Sequence, residues 1–313
     1  MFIIAVMILI DYNNVAIANT SVQLRIGNLD GQVSFEFLLN KLREYNLRFK
    51  DKYGELVVCA DHPIVWRKAF FPHYKARRAG KRSKDPLDDF NRIADVSNEF
   101  LNILKTKSPY KVIQTNHAEG DDVVSILSRQ PGKHVVISAD KDLTMLKSDN
   151  VDVFNPLKKQ FVDNGSLFRL SLVVSGDPDD DVPNILSDDD CFVDPDKRQK
   201  PLRANVKEHL YDTVKRLPHG KFDITHAFNP QSFPLVKGIE VDQIRKNFER
   251  NDKLINLSRI PLILVDRVND DFLNAEYNDV DLINFTIACK TSPTNLSQLV
   301  PNKMIDYNNS LSV

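Results

Sequence analysis

The stretch His117-Ala118-Glu119-Gly120-Asp121-Asp122-Val123-Val124, followed by His134-Val135-Val136-Ile137-Ser138-Ala139-Asp140-Lys141-Asp142, decides the fold. Val135 to Ile137 is short, β-branched and free of polar alternation, the pattern of a strand buried on both faces of a parallel sheet. In open α/β sheets ligands gather beyond the carboxyl ends of the strands, so Asp140 and Asp142 are expected to meet Glu119, Asp121 and Asp122 in one crevice. Carboxylates placed together in this way repel one another unless cations hold them. An all-oxygen donor set favours a hard ion such as Mg²⁺ or Mn²⁺.

Upstream, Ile8-Leu9-Ile10 runs into Asp11, and Val57-Val58-Cys59-Ala60 runs into Asp61. Alone, each such acid reads as a helix cap or a loop residue. Several segments that deliver acids to the same edge of a parallel sheet read as a divalent-metal site. Phe35, Leu38, Leu39, Leu42 and Tyr45 recur at helical spacing, with Ser34 placed to cap them. Phe90, Ile93, Ser97, Leu101 and Leu104 make one face of a second helix, and Tyr110 to Thr115 is a strand. Asp121 to Leu127 opens a helix, Val151 to Phe154 is a strand and Leu167 to Val174 a helix. This alternation gives an α/β fold, a parallel central sheet with helices on both faces. The pattern changes at Ser175-Gly176-Asp177-Pro178-Asp179-Asp180-Asp181. Ser187 to Ala204 is polar and turn-rich, the pattern of a mobile insertion. Val206 to Leu217, Val241 to Phe248 and Ile283 to Cys289 look helical. Two domains are expected: 1–185, and a smaller, mainly helical 186–313.

Between Trp66 and Lys84 stand Arg67, Lys68, Lys75, Arg77, Arg78, Lys81, Arg82 and Lys84, with no Asp or Glu among them and with Trp66, Phe70, Phe71 and Tyr74 interleaved. Lys and Arg hold phosphates and aromatic rings stack on unpaired bases, so this segment suits a single-stranded nucleic-acid guide. The chain as a whole has a formal charge of -1 and a pI near 6.7, so basic surface must be local. Cys59, Cys191 and Cys289 lack metal-ligand spacing and suit a reducing compartment. Met1 to Ile10 lacks the basic start and cleavage site of a signal peptide and reads as a core strand. With no apolar run long enough to span a bilayer, a cytoplasmic protein is expected.

The motifs, taken in order, resemble those of the 5′-nucleases, the flap endonucleases and 5′→3′ exonucleases, most closely the phage ribonuclease H branch. Leu9-Ile10-Asp11 and Val58-Cys59-Ala60-Asp61 are similar to the first two metal-site strands of that family. Glu119-Gly120-Asp121-Asp122 resembles its Glu-Ala-Asp-Asp signature, Ser138-Ala139-Asp140-Lys141-Asp142 its Ser-x-Asp-x-Asp, and Gly176-Asp177 to Asp181 its Gly-Asp-x-x-Asp-Asn. The resemblance implies metal ligation by Asp11, Asp61, Glu119, Asp121, Asp122, Asp140, Asp142, Asp177 and Asp180, with two Mg²⁺ ions for which Mn²⁺ substitutes. It makes 66–84 a helical arch, with Lys75 and Arg78 steering the scissile phosphate and Arg67, Lys68, Tyr74, Arg77, Lys81 and Arg82 binding nucleic acid. The implied activity is structure-specific 5′-nuclease action, flap-endonuclease, exonuclease and RNase H-type primer removal, during bacteriophage DNA replication. Its implied partners are DNA with 5′ flaps or ends, RNA–DNA hybrid and a single-stranded-DNA-binding replication protein, with the enzyme a monomer. Asp181 stands where the family usually has Asn, so Asp179, Asp180 and Asp181 all remain candidates, and the family's glycine-rich K⁺-binding segment has no counterpart after it. The rival readings are a Mg²⁺-dependent phosphomonoesterase, which needs an aspartyl nucleophile where Asp11-Tyr12-Asn13 stands, and a non-catalytic nucleic-acid-binding relative, which would be expected to lack ligands.

Overall fold

The computed structural model describes residues 6–27, 29, 31–81, 88–163, 167–205, 208, 241–275 and 282–289. These form two compact units. The first comprises 1–64, 82–163 and 262–313, and the second 65–81 and 164–261. The basic segment is therefore grouped by its contacts with 164–261, although sequence reading assigns it to the first 185 residues.

In the first unit the apolar runs become strands: β1 (Met7–Asp11), β2 (Glu55–Cys59), β3 (Lys111–Ile113), β4 (His134–Ile137) and β5 (Val151–Asn155). The order is β3-β2-β1-β4-β5, all parallel, with a short antiparallel β6 (Gln160–Phe161) at the edge. Every residue of β1 and β4 is buried, as continuous apolar strands in a doubly covered sheet should be. Ile8 and Ile10 of β1 share a core with Val58, Val135, Ile137 and Phe154 and with helical residues Phe35, Leu42, Phe100 and Leu104. That face is covered by α1 (Tyr12–Arg25), α2 (Gly31–Tyr53) and α5 (Asp89–Lys107). The opposite face receives α6 (Gly120–Leu127), which in turn packs against α9 (Leu262–Asn274).

Several elements depart from the sequence expectations. α1 has no counterpart among them, because Asn19, Thr20 and Ser21 return their side chains to carbonyls four residues back while Thr20 and Gln23 are buried. That pattern hides an apolar stripe. Ser34 does not cap α2, which begins at Gly31 and encloses it. Phe90 is exposed, and Phe100 and Ile103 join the buried face instead. α9 and β6 were not anticipated. The helix expected over 206–217 falls outside the described residues, apart from Glu208.

The second unit contains the short helices α3 (Trp66–Phe70) and α4 (Ala76–Lys81), then α7 (Leu167–Ser175) packed against α8 (Val241–Ile255). Backbone from 187 to 203 is turns and irregular segments, as expected from its composition. It is nevertheless tied down: Asn184 Nδ2 donates to Lys200 O, and Asn247 Nδ2 to Ile185 O and Ser187 O. Asn251 on α8 likewise reaches Val173 O and Pro183 O. Gly176, between α7 and the acidic turn, has φ +69°, and a Cβ there would stand 2.3 Å from Val182 O and 2.5 Å from Pro183 C. Both obstacles are backbone. Gly176→Ala is accordingly expected to lose roughly 2 kcal/mol or more, lowering Tm by several degrees in a thermal melt.

Candidate metal centre

Parallel register sets the ends of β1, β2 and β4 level, with Asp11 opposite Cys59 and Ile10 opposite Ile137. Asp11 closes β1, and Asp61 and Asp140 follow β2 and β4 by a few residues. Asp11 is 4% exposed. Its Oδ1 accepts from Asn14 N at 3.2 Å and so caps α1, while its Oδ2 accepts from Ser138 Oγ at 2.6 Å. Asp61 Oδ1 accepts from Gly120 N at 2.6 Å, joining the second strand's acid to the start of α6. Glu119 is the N-cap of that helix, in a capping box with Asp122.

The electrostatics of these acids contrast with those of Asp152 on β5. Burial acts to raise Asp152, but hydrogen bonds from Lys147 and Tyr53 and the Lys147 and Lys133 charges hold its carboxyl down at about 2. Asp11 goes the other way. Desolvation, opposed by the Ser138 hydrogen bond and reinforced by the charges of Asp61 and Asp140, pushes it up to about 7. Burial also drives Asp121 well above the usual carboxylate range, with Asp11, Asp140, Asp61 and Glu119 all adding to the rise. Asp11, Asp61, Glu119, Asp121 and Asp140 are therefore brought together, each close enough to disturb another's charge. A hard divalent cation fits such a donor set: it favours oxygen ligands and supplies the positive charge that these carboxyls oppose one another for.

Asp122 and Asp142 are placed differently. Asp122 is fully buried and its Oδ2 accepts from Glu119 N at 3.1 Å, so this acid supports the backbone of α6. Asp142 begins a 3₁₀ turn, Asp142–Leu146, and its N–H donates to Asp140 Oδ1. Among the described residues, no three His, Cys, Asp or Glu side chains are already drawn together as a metal-ligand set.

In the second unit, the acids of the turn after α7 face the basic segment. Asp180 accepts from Tyr74 OH at 2.8 Å, and its carboxylate lies 3.6 Å from Lys75 Nζ and 2.5 Å from an Arg78 guanidinium nitrogen. Asp181 is buried and is gripped by Arg77 through both Nε and the backbone N–H. The acid at the position where the resembling family usually has Asn therefore neutralises an arginine. Asp177 is buried and caps the 3₁₀ turn Pro178–Asp180 through Asp179 N, and Asp179 is exposed. Of the expected nucleic-acid contacts, Lys68, Arg77 and Arg78 are exposed and Lys75 half-buried. Arg67 and Tyr74 are buried, Arg67 donating to Leu254 O and Tyr74 to Asp180. The side chain of Lys81 and the whole of Arg82 lie outside the described residues.

Sequence reading passed over the neutral residues that hold the acids in place. Asn13 Oδ1 accepts from Asp61 N, Asn14 Oδ1 accepts from Ala139 N, and Gln114 Nε2 donates to Asp61 O. Ser138 Oγ both donates to Asp11 and accepts from Asp140 N. The first turn of α1 thus binds the ends of β1, β2 and β4 together. The Asn pair beginning two residues after the strand-terminal Asp11 was the available signal.

Residues 31–169 match the family of the 5′-3′ exonuclease N-terminal, resolvase-like domain. Among curated proteins, the ribonuclease H of enterobacteria phage T4 is 28% identical over 144 residues, 42% of this chain and 47% of that protein. Over this stretch the chain is similar to 5′-3′ exonucleases and to phage ribonuclease H. The exodeoxyribonuclease of enterobacteria phage T3 is 32% identical to this chain over 114 residues, 34% of each chain. The chain thus spans about half or less of the curated relatives it matches. Among solved structures, T5 5′-exonuclease with bound divalent metal ions (zinc) superposes with a TM-score of 0.55 at 14% identity, covering 87% of this chain and 100% of that one. The bacteriophage T5 D15 flap endonuclease, as a pseudo-enzyme-product complex with DNA and metal ions, gives 0.56 at 14% identity, covering 91% and 99%. At that identity the likeness establishes the fold: a six-stranded, mostly parallel sheet with helices on both faces.

The raised carboxyls set a pH dependence for the metal-free protein. A group whose pKa rises on folding stabilises the fold below its unfolded value and loses that contribution as pH passes its folded value. For Asp11 the window runs from about 4 to about 7, whereas Asp152 matters only below about 4. In EDTA, Tm is expected to fall by several degrees between pH 5 and pH 8. Saturating Mg²⁺, which binds the charged form, should narrow or reverse that fall when both melts are compared.

Proposed function

We propose that this chain is a structure-specific 5′-nuclease that hydrolyses phosphodiesters with two bound Mg²⁺ ions, Mn²⁺ substituting, during phage DNA replication. The observation that carries this reading is the group of acids at one edge of the first unit's sheet, where burial and the charges of neighbouring acids raise Asp11 and Asp121. Support comes from the family match across 31–169 and from the relatives named as ribonuclease H and exonucleases. Two hard cations would supply a water of lowered pKa and charge to balance both the attacking and the leaving oxygens. In this reading Asp11, Asp61, Glu119, Asp121 and Asp140 are the first unit's ligands. Asp122 also braces the start of α6 through Glu119 N, and it and Asp142 keep the metal-binding role that the resemblance gives them. Ser138, Asn13 and Asn14 fix where the ligand oxygens point, and Asp177 and Asp180 keep the metal-binding role that the resemblance gives them. With both Asp11 oxygens engaged by Ser138 and the α1 N-terminus, the geometry is poor for the aspartyl nucleophile of a phosphomonoesterase.

Lys75 and Arg78 orient the scissile phosphate, exchanging Asp180 for a substrate oxygen, and exposed Lys68 and Arg77 contribute phosphate contacts. The substrates of this proposal are 5′ flaps, 5′ ends and RNA annealed to DNA. Residues 1–185 carry the chemistry and 186–313 add contacts to DNA. A single-stranded-DNA-binding replication protein is the proposed partner of a monomer working in the host cytoplasm.

Cleavage of a 5′-labelled flap is expected with Mg²⁺ or Mn²⁺, to fail with Ca²⁺ and to stop in excess EDTA, because Ca²⁺ takes longer and more flexible coordination. Full activity in EDTA would sink the proposal. Replacing Lys75 and Arg78 together by Ala should slow single-turnover cleavage at saturating enzyme by about a hundredfold or more, since charge on the phosphate is greatest in the transition state. An unchanged saturated rate with weaker binding would assign the pair to backbone positioning instead.

A further inference from the structure

Beyond the carboxyl end of β3 lies a cavity of about 570 Å³ whose lining the nuclease reading leaves without a role. Its walls are α5, the loop Gln114–Asn116 and α9, contributing Lys105, Gln114, Thr115, Asn116, Arg267 and Asn274. Thr115 is buried and its hydroxyl donates to Asp271 Oδ2 at 2.6 Å, which pins α9 to the loop and engages the acid that also lines the cavity. Lys105 reaches Gln114 Oε1, and the same carboxamide donates from Nε2 to Asp61 O at 2.5 Å. Gln114 is therefore a wall shared by the cavity and the acid cluster. A group held in the cavity stands one side chain away from a proposed metal ligand.

We propose that this cavity is a subsite for one nucleotide unit of the substrate strand, with the phosphate held by Lys105 and Arg267 and the base or sugar by the amides of Asn116 and Asn274. The volume lies in the range of small-ligand sites, and the position outside the strands' carboxyl ends is where open α/β sheets collect ligands. Carboxamides offer both donors and acceptors to a base edge, and an arginine fork matches a phosphate's oxygens. Two cations stand against one acid in the lining. Desolvation already lowers the Lys105 ammonium, so an anion beside it restores what burial removes.

This inference rests on the nuclease reading and is tested apart from it. The full chain is titrated in EDTA against a fluorescent, 5′-phosphorylated single-stranded DNA ten-mer, and the affinity is followed by anisotropy across a range of salt concentrations. Arg267→Ala and Lys105→Ala are each expected to weaken binding about five- to tenfold near 0.1 M salt and to reduce the slope of log K against log salt by about one, the signature of one lost phosphate contact. Arg267→Lys should retain most of that slope, and thermal melting checks that each variant is folded. If both alanine variants bind with wild-type affinity and slope while the wild type cleaves a flap with Mg²⁺, the subsite is overturned and the nuclease reading stands. A wild type that neither binds the ten-mer nor cleaves the flap overturns both.

Discussion

A carboxylate taken out of water has to be compensated, and the end of β1 is built around that constraint. Asp11 closes the central strand of the first unit's sheet, where solvent hardly reaches it and other acids are its nearest charges. A serine hydroxyl and a helix N-terminus meet part of the demand, both being donors aimed at negative charge. Asp152 shows the alternative in the same sheet, for there lysines complete the compensation and the acid is an ordinary structural anion. What separates the two positions is the charge beside them: lysines at β5, other acids at β1.

That difference explains which parts of the chain were legible in the sequence. The strands were, because continuous β-branched runs and their terminal acids are properties of contiguous residues, and the strand-helix alternation followed. α1 was not, since its buried Thr20 and Gln23 satisfy themselves inside the helix and interrupt any apolar stripe. The site was legible as a set of charges and less so as a set of roles. Asp122 stands in the same motif as Asp121, yet one turns back to cap its own helix and the other faces its fellow acids. Composition reports that both are acidic; only the helix's first turn decides which way each points. Asn13 and Asn14 carry no charge to announce them, although they connect three strand ends.

The basic segment follows the same logic in the second unit. Its run of cations without an intervening acid is real in sequence, but its acids come from a hundred residues away, in the turn after α7. Arg67 and Tyr74 are structural members of that unit, buried against α8 and the turn. The exposed cationic surface is narrower than the count of lysines and arginines suggests, and among the described residues of the segment it comprises Lys68, Arg77, Arg78 and the half-exposed Lys75. Tyr74, Lys75 and Arg78 all meet at one carboxylate, so the segment's conformation depends on Asp180 as much as on its own helices.

Arg77 and Asp181 limit what recombination can do with this chain. Each is the other's compensation, with Asp181 sealed from water and held through side chain and backbone alike. A chimera that imports the basic segment of a relative while keeping this turn would strand an unpaired buried anion, and the reverse exchange would leave Arg77 facing a neutral amide. An exchange that preserves this compensation therefore has to move both segments together.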